Sequence, residues 1–136
     1  MARSAGAPRG SNSRRAERAR HLGLRAEDAV VLYLTEHSVA VVARNLRIGR
    51  FELDIVAREG PVIAVVEVRA RGPTAWTRGF GSLDGKKRQR IRRAGDRLWR
   101  ARYRMDDTVD RLRFDAASVT FDEEGRAVVE YVKAAF

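Results

Sequence analysis

The sequence contains no cysteine. Disulfides and thiolate metal centres are therefore excluded. Long apolar runs are also missing. Runs such as Val62 to Val66 are the size of a strand, and none approaches the ~18 residues of a membrane-spanning helix. Residues 1–20 lack the apolar stretch of a secretory signal, so a cytoplasmic protein with no membrane-embedded segment is expected. The two histidines, His21 and His37, have neither metal nor triad spacing, and Ser11, Ser13 and Ser82 sit in no nucleophile motif. Acidic residues are the minority, 18 against 28 basic ones, for a net charge of +10. Such an excess on a small protein points to a polyanionic partner. Nucleic acid, DNA first, is the leading candidate and an anionic membrane surface the second. The plainer reading is an arginine-rich composition that serves solubility.

A length of 136 residues with 44% hydrophobic content fits one packed domain. Residues 1–20 hold six arginines and one acid without apolar periodicity, and read as a disordered basic tail ahead of a domain over 21–136. Leu24, Val30, Val31 and Leu34 recur at helical spacing and predict a helix over about 23–36. Strands are predicted over 38–45, 51–58, 61–69, 111–121 and 127–132. Residues 70–83, with Trp76 and Phe80, read as a loop of functional length. Residues 84–104 read as a long helix with an Ile91, Ala94, Leu98, Ala101 stripe, slightly weakened by Gly95. The order α-β-β-β-α-β-β predicts an α/β fold, a mixed sheet flanked by helices.

The stretch ELDIVAREGPVIAVVEVRA, residues 52–70, carries the most chemistry. Side chains alternate along a strand, so Glu52 and Asp54 share a face, as do Glu67 and Arg69. A two-residue turn at Glu59-Gly60 sets Asp54 opposite Val65 and Glu52 opposite Glu67. All three carboxylates then converge on one face, and Leu53, Ile55, Val62, Ala64, Val66 and Val68 occupy the other. A one-residue slip would bring Glu67 to the apolar face. Opposed like charges are destabilising and need a counter-charge. One candidate is a divalent cation such as Mg²⁺ or Mn²⁺, held by carboxylates, water and phosphate and able to activate water at a phosphodiester. The other is an ion-pair network with Arg47, Arg50 and Arg69.

The segments GLRAEDAVVLYL (23–34), ARNLRIGRFELDIVAREG (43–60), VVEVRAR (65–71), FGSLDGKKRQRI (80–91) and RLRFDAASV (111–119) together resemble the YraN-like family. That family consists of uncharacterised bacterial proteins assigned to the restriction-endonuclease-like fold. The resemblance implies a PD-(D/E)xK nuclease site. In it, Asp54 stands at the metal-binding aspartate, Glu67 at the glutamate of E-V-K, and Glu27 at the acid of the first helix. Lys87 stands at the lysine that opens the basic helix, and Glu52 at a further acid. The chain departs from the pattern in three places. Arg69 replaces the expected lysine; it keeps the charge, but with a pKa above ~12 it cannot act as a base. Phe51 replaces the glycine before Glu52. The segment between Gly81 and Lys87 is shortened.

The second helix holds ten basic residues and two acids between Asp84 and Arg104. Lys86, Lys87, Arg90, Arg93 and Arg97 recur mostly three or four apart and form one basic surface, suited to tracking phosphates. Trp76 and Phe80 could stack on an unpaired base, although aromatics such as Phe80 and Trp99 are more often packing residues. The expected activity is metal-dependent hydrolysis of DNA phosphodiesters. The alternative is non-catalytic nucleic-acid binding on a degenerate nuclease fold.

Overall fold

The computed structural model describes residues 7–71 and 85–136, with side chains from Asn12 onward in the first segment. The elements are α1 (Ala7–Glu36), β1 (Ala40–Ile48), β2 (Phe51–Glu59), β3 (Val62–Arg71), α2 (Gly85–Leu98), β4 (Arg111–Phe121) and β5 (Ala127–Val132). One π-helical turn, Trp99–Tyr103, prolongs α2. The predicted order of elements is the observed one. The five strands form one sheet in the order β1-β2-β3-β4-β5. Neighbours are antiparallel except β3 and β4, which are parallel. A parallel pair needs a crossover, and α2 lies within it.

The central strand explains its own sequence. β3 is covered on both faces, so VIAVV is a continuous apolar run rather than an alternating one. On one face Ala64 and Val66 pack with Val30 and Leu34 of α1 and with Ala117 and Val119 of β4. On the other, Ile63 and Val65 pack with Ile91, Ala94 and Leu98 of α2. The α2 stripe is as predicted except for Ala101, which is exposed in the π turn. Trp99 is a packing residue, partly buried against the α2-side core, and Tyr103 is buried.

Four details correct the sequence reading. First, α1 begins at Ala7 rather than near residue 23. Residues 12–20 are all exposed; RRAERAR has high helix propensity but no apolar face to reveal it. Second, β1 runs on to Ile48, which leaves Gly49-Arg50 as the turn to Phe51; Gly49 supplies the positive φ of 62° there. Third, the β2–β3 turn is Gly60-Pro61, because Glu59 pairs with Val62. The register moves by two residues, so the faces keep their parity and the partners change. Fourth, the β2–β3 ladder ends at Ile55–Val66. Beyond it strict alternation lapses, and Leu53 joins the α2-side core rather than the face of Ile55.

The far edge of the sheet is fastened by Asp115, fully buried in β4. Its carboxylate accepts hydrogen bonds from Arg113 Nε (2.8 Å) and Nη2 (2.9 Å), Tyr131 Oη (2.6 Å) and the Ala134 N–H (2.9 Å). A buried charge is tolerable when so fully satisfied.

Candidate functional site

The site forms where β2 and β3 separate. The ladder ends at Ile55–Val66, and just beyond it the Asp54 and Glu67 side chains meet, in place of the Glu52–Glu67 pairing predicted. The Asp54 carboxylate accepts the Val68 N–H at 2.9 Å, just past the last ladder pair. Glu67 is buried, and Lys87 of α2 places its Nζ 2.7 Å from the Glu67 carboxylate. Asp54, Glu67 and Lys87 line a cleft of about 440 Å³ together with Arg50, Phe51, Glu52 and Arg90.

Burial pushes the Asp54 carboxyl up to about 7, aided by the charge of Glu67, a hydrogen bond with that side chain and the charge of Glu27; the Val68 N–H opposes the rise. Asp54 thus meets a second carboxylate in a partly desolvated place that disfavours its own ionisation. Glu27 of α1 is largely covered; it accepts a hydrogen bond from Asn45 Nδ2 at 3.2 Å and lies 3.6 Å from Arg44 Nη2. Arg44 also donates to Asp28 at 2.8 Å. Glu52 is half exposed, 4.0 Å from Arg47 Nε.

Of the residues predicted for the site, Asp54, Glu67 and Lys87 come together, with Glu52 and Arg90 on the same cleft. Glu27 approaches from the opposite helix as an electrostatic neighbour of Asp54. Arg69 is partly buried beside Ser118 of β4 and is not among the cleft-lining residues. A cation that pairs with Glu67 is Lys87, supplied by α2. Arg93 and Arg97 lie farther along α2 on an adjoining groove, and Lys86 is exposed. Trp76 and Phe80 lie outside the described residues.

Asn45 was missed from sequence. It holds a left-handed backbone, φ 49°, in β1. Asn tolerates that conformation better than most residues, and its amide reaches Glu27. A lone asparagine in a predicted strand was the available signal. Among the described residues, no three His, Cys, Asp or Glu side chains gather closely enough to hold a metal ion alone. No described helix is long and apolar enough to cross a membrane.

The model of the uncharacterised protein family UPF0102 matches residues 26–119. The chain belongs to UPF0102. It is similar to a UPF0102 protein of Sorangium cellulosum, 56% identical over 133 residues, which covers 98% of this chain and 88% of the relative. A UPF0102 protein of Bacteroides thetaiotaomicron is 36% identical over 85% of this chain and 91% of its own. One of Nocardia farcinica is 35% identical over 85% and 88%. The UPF0102 match spans Glu27, Asp54, Glu67 and Lys87, and so the whole cleft. The exposed residues 12–20 of α1 precede it.

Proposed function

We propose that the protein is a metal-dependent, nuclease-like enzyme that binds nucleic acid, DNA first, and hydrolyses its phosphodiesters. The observation that carries this reading is the Asp54–Glu67 pair at the parting of β2 and β3, roofed by the basic face of α2. It is the arrangement the restriction-endonuclease-like resemblance implies.

The residues fit a hard divalent cation. Asp54 and Glu67 offer oxygen donors from adjacent strands, and their mutual repulsion is relieved by positive charge. Two carboxylates completed by water and phosphate are a usual Mg²⁺ environment. Bound there, Mg²⁺ or Mn²⁺ supplies charge neutralisation and a water of lowered pKa. The chain's own residues do the rest. Glu27, steadied by Asn45, adds negative potential behind Asp54. Lys87 neutralises Glu67 and is placed to meet a phosphate oxygen. Arg90 and Arg50 line the mouth of the cleft and hold the flanking backbone as charge-assisted donors. Arg69, two residues past Glu67 on β3, keeps a positive charge without offering proton transfer.

The test is cleavage of linear, single-stranded and branched DNA with Mg²⁺ or Mn²⁺. The wild type is expected to cut, and Asp54→Ala to lose roughly 100-fold or more. Arg69→Lys is expected to remain active. Full cleavage by Asp54→Ala would sink the assignment. A second reading, binding without hydrolysis, draws on the arginine at position 69 and on the two-carboxylate donor set. It predicts a wild type silent in every assay that still binds DNA in EDTA.

A further inference from the structure

We propose that the Gly49–Phe51 turn and the outer ridge of α2 form a second phosphate subsite, which grips the nucleic-acid strand at a distance from the phosphodiester held at Asp54 and Glu67. The inference rests on the nucleic-acid reading of the cleft and narrows its substrate to a strand, as opposed to a single nucleotide.

A groove of about 280 Å³ adjoins the cleft and shares Arg50 and Phe51 with it; its other walls are Arg93, Asp96, Arg97 and Arg100. The Arg50 guanidinium lies 5.7 Å from the centroid of the Phe51 ring and that of Arg97 lies 5.6 Å from it. One ring thus gathers a guanidinium from the β1–β2 turn and another from α2. Arg97 also packs against Gly49, where a Cβ would collide with its guanidinium.

The charge balance supports a binding role. Among the described residues, none of Arg50, Arg93, Arg97 and Arg100 has a carboxylate within 4.0 Å, and Asp96 forms no ion pair there. Four guanidiniums around one groove repel one another unless an anion joins them. Stacking on an aromatic face fixes a guanidinium's plane while its N–H donors stay at the edge, where they match phosphate oxygens. Repeated phosphates, spaced along one strand, are the ligand that reaches both cleft and groove. Arg50 and Phe51 are the residues that join the two, and Phe51 is one of the departures from the resembled motif.

Binding is measured by fluorescence anisotropy with an oligonucleotide of roughly 20 nucleotides, longer than ordinary single-strand sites. EDTA is present throughout, so hydrolysis plays no part. Arg97→Gln should weaken binding roughly fivefold and reduce the salt slope by about one. Phe51→Leu removes the ring but keeps an apolar side chain against the core. It should weaken binding with the slope retained. Arg111→Gln, an equal charge loss at the opposite end of β4, should stay within about twofold. Wild-type affinity in Arg97→Gln and Phe51→Leu would overturn the subsite. So would a loss in Arg111→Gln as large as in Arg97→Gln, since net charge alone would then explain binding. If the wild type binds no oligonucleotide, the nucleic-acid reading itself fails, a result distinct from either.

Discussion

At Asp54 two influences oppose each other. Burial and the neighbouring acids favour the protonated form, and the Val68 N–H favours the carboxylate. The first set wins and raises the group from 3.8 to about 7. A carboxyl raised on folding binds its proton more tightly in the native state. Stability therefore falls as pH rises from about 4 to about 7, because the native state must then ionise an unfavourably placed acid. Asp54→Asn removes that ionisation and keeps an acceptor for Val68. In EDTA the variant's stability advantage over the wild type should grow by roughly 2–3 kcal/mol between pH 5 and pH 8. Urea unfolding at the two pH values reads the difference. An Asp54→Asn protein less stable than wild type at pH 8 would show that the carboxylate is held by favourable partners. The same pair shows what sequence can convey about a site. Alternation placed Asp54 and Glu67 on one face, and a two-residue register change left that intact because parity survives even shifts. The role of Lys87 beside Glu67 was not readable from strand geometry, since it depends on how α2 lies across the sheet.

On α2, Gly95 shows local propensity overruled by packing. Gly inside a helix costs about 1 kcal/mol relative to Ala, so the sequence suggests a weak point. In the fold, a Cβ there would sit 2.6 Å from Phe114 Cζ and 2.9 Å from Leu112 Cδ2. The glycine lets the helix approach β4. Gly95→Ala should therefore lower stability by roughly 1–3 kcal/mol, the usual cost of overpacking, despite its better propensity. Phe114→Leu in the same chain should recover part of the loss. Thermal melting of the single and double variants decides the matter. A more stable Gly95→Ala would mean that the helix shifts freely. Other elements were legible to different degrees for equally physical reasons. β4 and β5 fall where predicted, bounded by the Asp122–Gly125 turn. β3 was legible because burial on both faces leaves one apolar run. Leu53 was misplaced because the ladder stops at Ile55, and alternation is a property of paired strands. The first half of α1 gave no apolar period, since residues 12–20 touch solvent on every side.

Over the whole molecule, charge and fold are divided along the chain. Residues 1–20 contribute six arginines and one glutamate, so +5 of the net +10 lies ahead of residue 21. The core-facing residues of α1 begin with partly buried Leu22 and continue through Ala26, Val30 and Leu34. Deleting residues 1–20 removes half the net charge and none of those contacts. The shortened protein should melt within about 3 °C of the full chain, because residues 12–20 are exposed. Its affinity for nucleic acid should fall, with a shallower salt dependence, because each lost phosphate contact removes about 0.7–0.9 from the slope. Cleavage per bound substrate should hold, because Asp54, Glu67 and Lys87 are unaffected. A large drop in melting temperature would mean that the first half of α1 supports the sheet. Unchanged affinity and slope would mean that its arginines face solvent only, and would leave the surface of α2 and the Gly49–Phe51 turn as the whole of the phosphate-binding face.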